Sequence, residues 1–157
     1  MIRVGFGMDV HKFVAERDLW IGGIKVPYEF GLAGHSDADV LIHAICDALL
    51  GAANLRDIGF QFPDTSDEFL NIDSKILLRR TGELLASKGY KIGNIDATVA
   101  AQAPKLNPHI PAMQEVMAEV LGIDVDALSI KATTTEKLGF EGRKEGITAY
   151  AVVLIEK

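Results

Sequence analysis

The segment that constrains the fold most is residues 147–156. Tyr150, Val152 and Leu154 occupy one set of alternate positions, and Ala151, Val153 and Ile155 occupy the other. Successive side chains of a strand point to opposite sides, so a strand here is apolar on both faces. Such a strand must be covered on both sides. That excludes a lone hairpin and requires a layered domain. Helices would lie over one face of a sheet, and the other face would find a partner in an oligomer.

The rest of the chain supplies the layers. Ile2, Val4 and Phe6 alternate within residues 1–7, a strand pattern. Two short apolar runs flank Gly22-Gly23 in residues 19–26, which signals a hairpin. Residues 31–35 read as a loop, and Ser36 with Asp39 three positions on resembles a capping box opening a helix over 36–53. After a loop over 57–66, a second helix is expected over 73–88, with Ile76, Leu77, Leu84 and Leu85 as its stripe and Gly89 as its stop. Residues 92–102 alternate, with Ile95, Ala97, Val99 and Ala101 on the buried face. A third helix starts near Pro108 or Pro111, carries Met113, Val116, Met117, Val120 and Leu121, and ends at Gly122. Residues 128–135 form another strand. The expected fold class is α/β, arranged as an α+β two-layer sandwich. It has a mixed sheet of about four main strands, three helices on one face and a small hairpin.

At 157 residues the chain matches one domain, 1–157, long enough to bury roughly 70% of its unfolded surface without disulfides. Sixteen Lys+Arg against 22 Asp+Glu leave a net charge of −6, which disfavours nucleic-acid and anionic-membrane binding. No run of 18 apolar residues is present to form a spanning helix. The N-terminus passes from Met1 to Arg3, Asp9 and His11 with no apolar signal core, so a cytoplasmic location is expected. The one cysteine, Cys46, excludes a disulfide framework and a CxxC zinc site and reads as a buried helix residue. Gly5-Phe6-Gly7 has no third glycine at dinucleotide-binding spacing. The acidic balance is awkward for a phosphorylated substrate, which would need positive charge supplied locally.

Asp9-Val10-His11 puts a carboxylate and an imidazole on the same side of the end of the first strand, with Val10 toward the core. In the first helix Asp39, His43 and Asp47 recur at i, i+4 and form one polar stripe among Val40, Leu41, Ala44, Ile45, Ala48 and Leu49. A solvated face fits that stripe. So does a His43 turned toward Asp9 and His11, since two imidazoles and one carboxylate are the three-ligand set of catalytic zinc. Asp39 or Asp47 would then orient His43 from behind, and His35 with Ser36 would meet an anion at the helix start.

Three consecutive threonines, Thr133-Thr134-Thr135, lead to Glu136 and Lys137 at a strand end. They read as β-branched strand filling or as donors to phosphoryl oxygens, with Glu136 as ligand for a hard cation such as Mg²⁺. The glycine-bounded loop over 139–146 carries Arg143 at its centre, as an ordinary turn or as an anion clamp. Ala101-Gln102-Ala103-Pro104-Lys105 is a small-residue strand end that lets a flat ligand approach the backbone.

Taken in order, these motifs resemble one family. They are Gly5-x-Gly7-x-Asp9-x-His11, His35-Ser36-Asp37-x-Asp39-Val40 with His43, Asp57-Ile58-Gly59, Phe62-Pro63-Asp64-Thr65, Ala101-Gln102-x-Pro104-Lys105, Ala132-Thr133-Thr134-Thr135-Glu136-Lys137-Leu138-Gly139 and Gly142-Arg143-x-Glu145-Gly146. The chain is similar over its whole length to the 2-C-methyl-D-erythritol 2,4-cyclodiphosphate synthases of the non-mevalonate isoprenoid route.

The resemblance implies a lyase that converts 4-diphosphocytidyl-2-C-methyl-D-erythritol 2-phosphate to the cyclic diphosphate and CMP, in a homotrimer with active sites between subunits. It implies zinc on Asp9, His11 and His43, and a second divalent ion, Mg²⁺ or Mn²⁺, on Glu136. His35 and Thr134 take the catalytic positions that hold the phosphates. Substrate contacts fall on Asp9, Val10, His11, His35 and Ser36, on Asp57, Ile58 and Gly59, and on Phe62, Pro63, Asp64, Thr65 and Ser66. They continue at Ala101, Gln102, Ala103, Pro104, Lys105, Leu106 and Asn107, at Thr133, Thr134, Thr135 and Glu136, and at Phe140 and Arg143. Apolar residues beside Arg143 can line a pocket for an isoprenoid diphosphate at the trimer axis. A zinc phosphohydrolase and a non-enzymatic diphosphate-binding module are the competing readings.

Overall fold

Strand β1 runs over Ile2–Val14 in the computed structural model, which describes residues 1–157. The remaining strands are β2 (Leu19–Ile21), β3 (Ile24–Val26), β4 (Gly31–Leu32), β5 (Lys91–Ala100), β6 (Leu128–Thr133) and β7 (Gly146–Glu156). Helices α1 (Val40–Ala52), α3 (Ser74–Ser87) and α4 (Ile110–Leu121) are the long ones, and α2 (Ile58–Gln61) and α5 (Gly139–Gly142) are single turns. The five-stranded sheet has the order β4-β1-β7-β5-β6, antiparallel except for the β5–β6 pair. It holds the four expected main strands, with the two-residue β4 added at one edge. The β2–β3 ribbon turns through Gly22 and Gly23, both in the left-handed region at φ +64° and +80°. Glycine adopts this conformation without steric cost, as a two-residue hairpin requires.

One sheet face carries the core. Ile147, Ala149, Ala151, Val153 and Ile155 of β7 and Ile95, Ala97 and Val99 of β5 are buried in a single 32-residue apolar cluster with α1 and parts of α3 and α4. The opposite face is bare. Val152 and Leu154 of β7 are exposed beside Ile2, Val4, Phe6, Met8 and Val10 of β1, and Phe6 stacks on Tyr150 with ring centroids 6.4 Å apart.

Three sequence expectations change here. β1 continues past Asp9 and His11 to Val14 instead of ending at them. Its alternation is inverted, so Ile2, Val4 and Phe6 point away from the helices, and Val10, expected in the core, is 45% exposed. The reason lies in Gly5 and Gly7, which take the helix side. A Cβ on Gly5 would lie 1.9 Å from the Ala48 carbonyl oxygen, and one on Gly7 would lie 2.0 Å from that of Ala44. Only hydrogen fits, so α1 lies directly on β1, and the next inward positions along the strand are Asp9 and His11. A Gly7→Ala substitution forces strand and helix apart. It is expected to cost about 3 kcal/mol of unfolding free energy, read from denaturant midpoints at unchanged slope.

The helix boundaries also differ. α1 starts at Val40 with Asp39 as its N-cap, and Ser36 lies in the preceding loop. Ser36 does not begin the helix because Asp39 is better placed: its carboxylate accepts the Ile42 N–H at 3.0 Å. α3 is capped by Asp73 and buries Leu77, Leu78, Thr81 and Leu85, while Ile76 is exposed on its outer side. α4 has Pro111 in its first turn, and Gly122 ends it at φ +66°.

Candidate functional site

The inward row of β1 meets α1 at His43. Asp9 Oδ2 is 2.7 Å from His11 Nε2 and 3.1 Å from His43 Nδ1, and the two ring nitrogens are 3.4 Å apart. This is the one His/Cys/Asp/Glu cluster in the chain whose donor atoms converge as a metal requires. Ligand bonds of about 2.0–2.1 Å in a tetrahedron put donors about 3.3 Å apart, so the residues present fit a zinc-sized ion. His11 Nδ1 donates to the Ala33 carbonyl at 2.7 Å, which in the neutral ring leaves the Nε2 lone pair facing the cluster. Burial alone would raise the Asp9 carboxyl, but the His11 and His43 hydrogen bonds and charges outweigh it and hold the group at about 2. The same carboxylate raises His11 against the lowering effect of burial.

Neither carboxylate expected to orient His43 does so. Asp39 is fully buried, and its two oxygens accept Gly22 N–H at 2.9 Å, Gly23 N–H at 2.7 Å and Ile42 N–H. Burial and the nearby Asp37 charge raise its carboxyl. Asp47 accepts the Ile58 N–H at 2.8 Å and fastens α2 beside the cluster, and burial raises it as well. The i, i+4 stripe is real on the helix surface, but each member serves a different neighbour. His43 Nε2 lies 3.0 Å from Ser74 Oγ and 3.2 Å from Ser36 Oγ, and its side chain is only 12% exposed.

A cleft of about 240 Å³ opens over the cluster, lined by His35, Ser36, Ile58, Gly59, Phe62 and Asp64 as well as the three donors. Phe69, Ile72 and Leu77 complete its wall. These apolar residues carry no sequence signal of their own beyond the helix stripe that contains Leu77. Asp57 occupies the N-cap position of α2 without a side-chain capping bond, and His35 Nε2 donates to the Ser66 carbonyl at 3.1 Å, drawing the loop of Pro63 and Thr65 toward it. Val10 faces away, into a separate depression with Lys12, Phe140 and Glu145.

The second group of expected residues forms its own cleft of about 340 Å³, lined by Ala101, Gln102, Pro104, Lys105, Leu106, Asn107, Ala132, Thr133 and Thr134. Ala103 is part of the same turn, and Gln102 Oε1 accepts the Lys137 N–H at 3.1 Å. Thr134 Oγ1 accepts the Glu136 N–H at 3.3 Å, and Glu136 is exposed in the left-handed region at φ +55°. Arg143 is exposed and ion-paired to Glu145 at 2.8 Å.

One line of sheet register relates the two clefts. Asp9 pairs with Ala149, Ala149 with Val99, and Val99 with Ala132. Three strand steps of about 4.8 Å separate the metal cluster from the threonine run by about 14 Å at the same end of the sheet.

A sequence model of the YgbB family matches residues 2–156. The chain belongs to the YgbB family. Among YgbB relatives, a Bacteroides fragilis protein named 2-C-methyl-D-erythritol 2,4-cyclodiphosphate synthase is 69% identical over 156 residues, 99% of this chain and 98% of its own length. The fold agrees with solved relatives. The bifunctional IspDF of Campylobacter jejuni aligns at a TM-score of 0.95 and 44% identity over 99% of this chain and 42% of that one. A CDP complex of Plasmodium falciparum IspF aligns at 0.87 and 38% identity, over 98% and 95% of the two chains. The resemblance read from the ordered motifs therefore holds, and the two-layer fold is that of the YgbB cyclodiphosphate synthases.

Proposed function

We propose that the protein cyclises 4-diphosphocytidyl-2-C-methyl-D-erythritol 2-phosphate to 2-C-methyl-D-erythritol 2,4-cyclodiphosphate and releases CMP. This is a phosphorus–oxygen lyase reaction on the non-mevalonate route to isoprenoid precursors. The observation that carries the reading is the pairing of the Asp9–His11–His43 donor cluster with a separate cleft built from Ala101–Asn107 and the threonine run. CDP bound to the P. falciparum relative supports a cytidine nucleotide as the occupant of that cleft.

Asp9, His11 and His43 would hold Zn²⁺, and Glu136 would hold Mg²⁺ or Mn²⁺ jointly with the substrate diphosphate. Bound there, the two cations would neutralise phosphate charge and withdraw electrons from phosphorus. The substrate supplies the nucleophile. An oxygen of its 2-phosphate forms a bond to the β-phosphorus, and the bond from that phosphorus to the bridging oxygen breaks, so CMP leaves with the oxygen. No protein nucleophile is needed, and Cys46 would be a poor one, since burial pushes its thiol up to about 12. The protein's task is to fold the substrate. His35 and Ser36 at the metal cleft and Thr134 at the other hold phosphate oxygens. Asp57, Ile58, Gly59 and Phe62–Ser66 shape the methylerythritol site. Placing nucleophile and phosphorus in line can supply roughly 7–11 kcal/mol of the barrier.

The bare face of β1 and β7 supports a homotrimer in which the metal cleft of one chain closes against the nucleotide cleft of the next. Phe140 and Arg143 then lie near the axis, where an isoprenoid diphosphate has both an apolar wall and a cation. Residues 1–157 act as one catalytic domain in this reading. A cytoplasmic location belongs to it too; no helix is long and apolar enough to cross a membrane.

Purified protein with the cytidylyl substrate, Zn²⁺ and Mg²⁺ is expected to yield one cyclic diphosphate per CMP by mass spectrometry. CMP with an acyclic, water-added product would mark a phosphohydrolase. No turnover, together with diphosphate binding that survives His43→Ala, would mark a binding module.

A further inference from the structure

The far side of His43 is organised by residues that the sequence motifs leave without a role. Ser74, the first residue of α3, is fully buried. Its hydroxyl donates to Asp37 Oδ1, while the other Asp37 oxygen accepts the Ser74 N–H at 2.9 Å. Asp37 Oδ1 also accepts the Asp39 N–H at 3.0 Å. An ionised carboxylate only accepts, so Ser74 has committed its single proton to Asp37. It can offer His43 only a lone pair. Nε2 of His43, 3.0 Å away, must therefore carry the ring hydrogen and donate it. Nδ1, 3.1 Å from Asp9 Oδ2, turns its lone pair to the cluster once the ring is neutral, because a neutral imidazole keeps only the one N–H on Nε2.

We propose that Asp37 and Ser74 are positioning residues that fix the tautomer and ring orientation of His43 for metal binding. The two histidines of the cluster are thus set by different means. His11 leans on the backbone carbonyl of Ala33, which substitution does not remove. His43 depends on a side-chain relay, and Ser36 Oγ, which already accepts the Ala38 N–H at 3.1 Å, assists as a second acceptor. Partners of this kind typically change metal affinity 10–100-fold. The inference rests on reading the Asp9–His11–His43 cluster as a metal site.

The test compares metal-stripped wild type, Ser74→Ala and Asp37→Asn by chelator-competition titration with Zn²⁺ and by ¹⁵N NMR of the histidine rings. Wild-type His43 is expected to carry hydrogen on Nε2. Ser74→Ala is expected to bind Zn²⁺ about 10–100-fold more weakly. In Asp37→Asn the new amide can donate to Ser74 Oγ. The hydroxyl then turns to donate to Nε2, the ring hydrogen moves to Nδ1, and affinity falls over the same range. A wild-type His43 with no hydrogen on Nε2 overturns the relay, as does Zn²⁺ binding by both variants within about twofold of wild type. If Ser74→Ala does not fold, Asp37→Asn and the wild-type tautomer still decide. Should wild type bind no Zn²⁺, the metal reading fails, and the ring spectra judge the relay separately.

Discussion

A His43→Ala protein is expected to fold, to bind cytidine nucleotide, and to release CMP at least about 10³-fold more slowly than wild type. Alanine suits a helix interior, and the deleted ring lies at the edge of the core, so the fold tolerates the loss. Removing the ring takes one of three converging donors from the cluster and strands the Asp9 carboxylate beside a single imidazole. The nucleotide cleft lies three strands away and keeps its lining. The loss therefore falls on turnover and metal content, whereas CDP affinity by calorimetry stays within a few-fold. Turnover within tenfold of wild type would sink the role assigned to the cluster.

The second large effect concerns the bare sheet face. Phe6 and Val152 sit opposite each other across β1 and β7. A Phe6→Asp/Val152→Asp double variant puts two carboxylates where the proposed trimer excludes water. Unpaired buried charge is costly, and a symmetric assembly repeats the cost at every interface. Light scattering is expected to report monomers, with circular dichroism unchanged because that face contributes nothing to the chain's own core. Activity should fall to background, since in the proposed trimer each chain carries only half of each site.

Co-expressing Asp9→Asn with Glu136→Gln isolates the cause. A metal cleft from one variant can meet a nucleotide cleft from the other, and random mixing restores about a quarter of the sites. Activity retained by the monomeric double variant, or no recovery on co-expression, would contradict sites shared between chains.

The strands were legible because alternation is a local property. The same alternation put Val10 on the core side, which β1 reverses. Ile2, Val4 and Phe6 look like core positions in an isolated chain, and the glycines that select the helix side have no side chain to reveal it. Asp9, His11 and His43 were legible as a group because strand and helix periods put each on a predictable side. The partners of His43 were not. Ser74 lies 31 residues farther along the chain, and nothing local links a helix-opening serine to a loop aspartate at position 37. Asp39 and Asp47 share the helical spacing of His43, but neighbours outside the helix, Gly22, Gly23 and Ile58, claim their oxygens.

The buried Asp39 carboxylate also has a dynamic consequence. A two-stranded ribbon is marginal in water on its own, yet the turn of β2–β3 is fastened to the first turn of α1 through this one acid. Peeling the ribbon away would leave the acid buried with one of its three N–H donors, so ribbon and helix open together or not at all. The hairpin is thereby drawn into the cooperative unit that carries His43. A ligand that binds the folded cleft slows the opening of the ribbon without touching it.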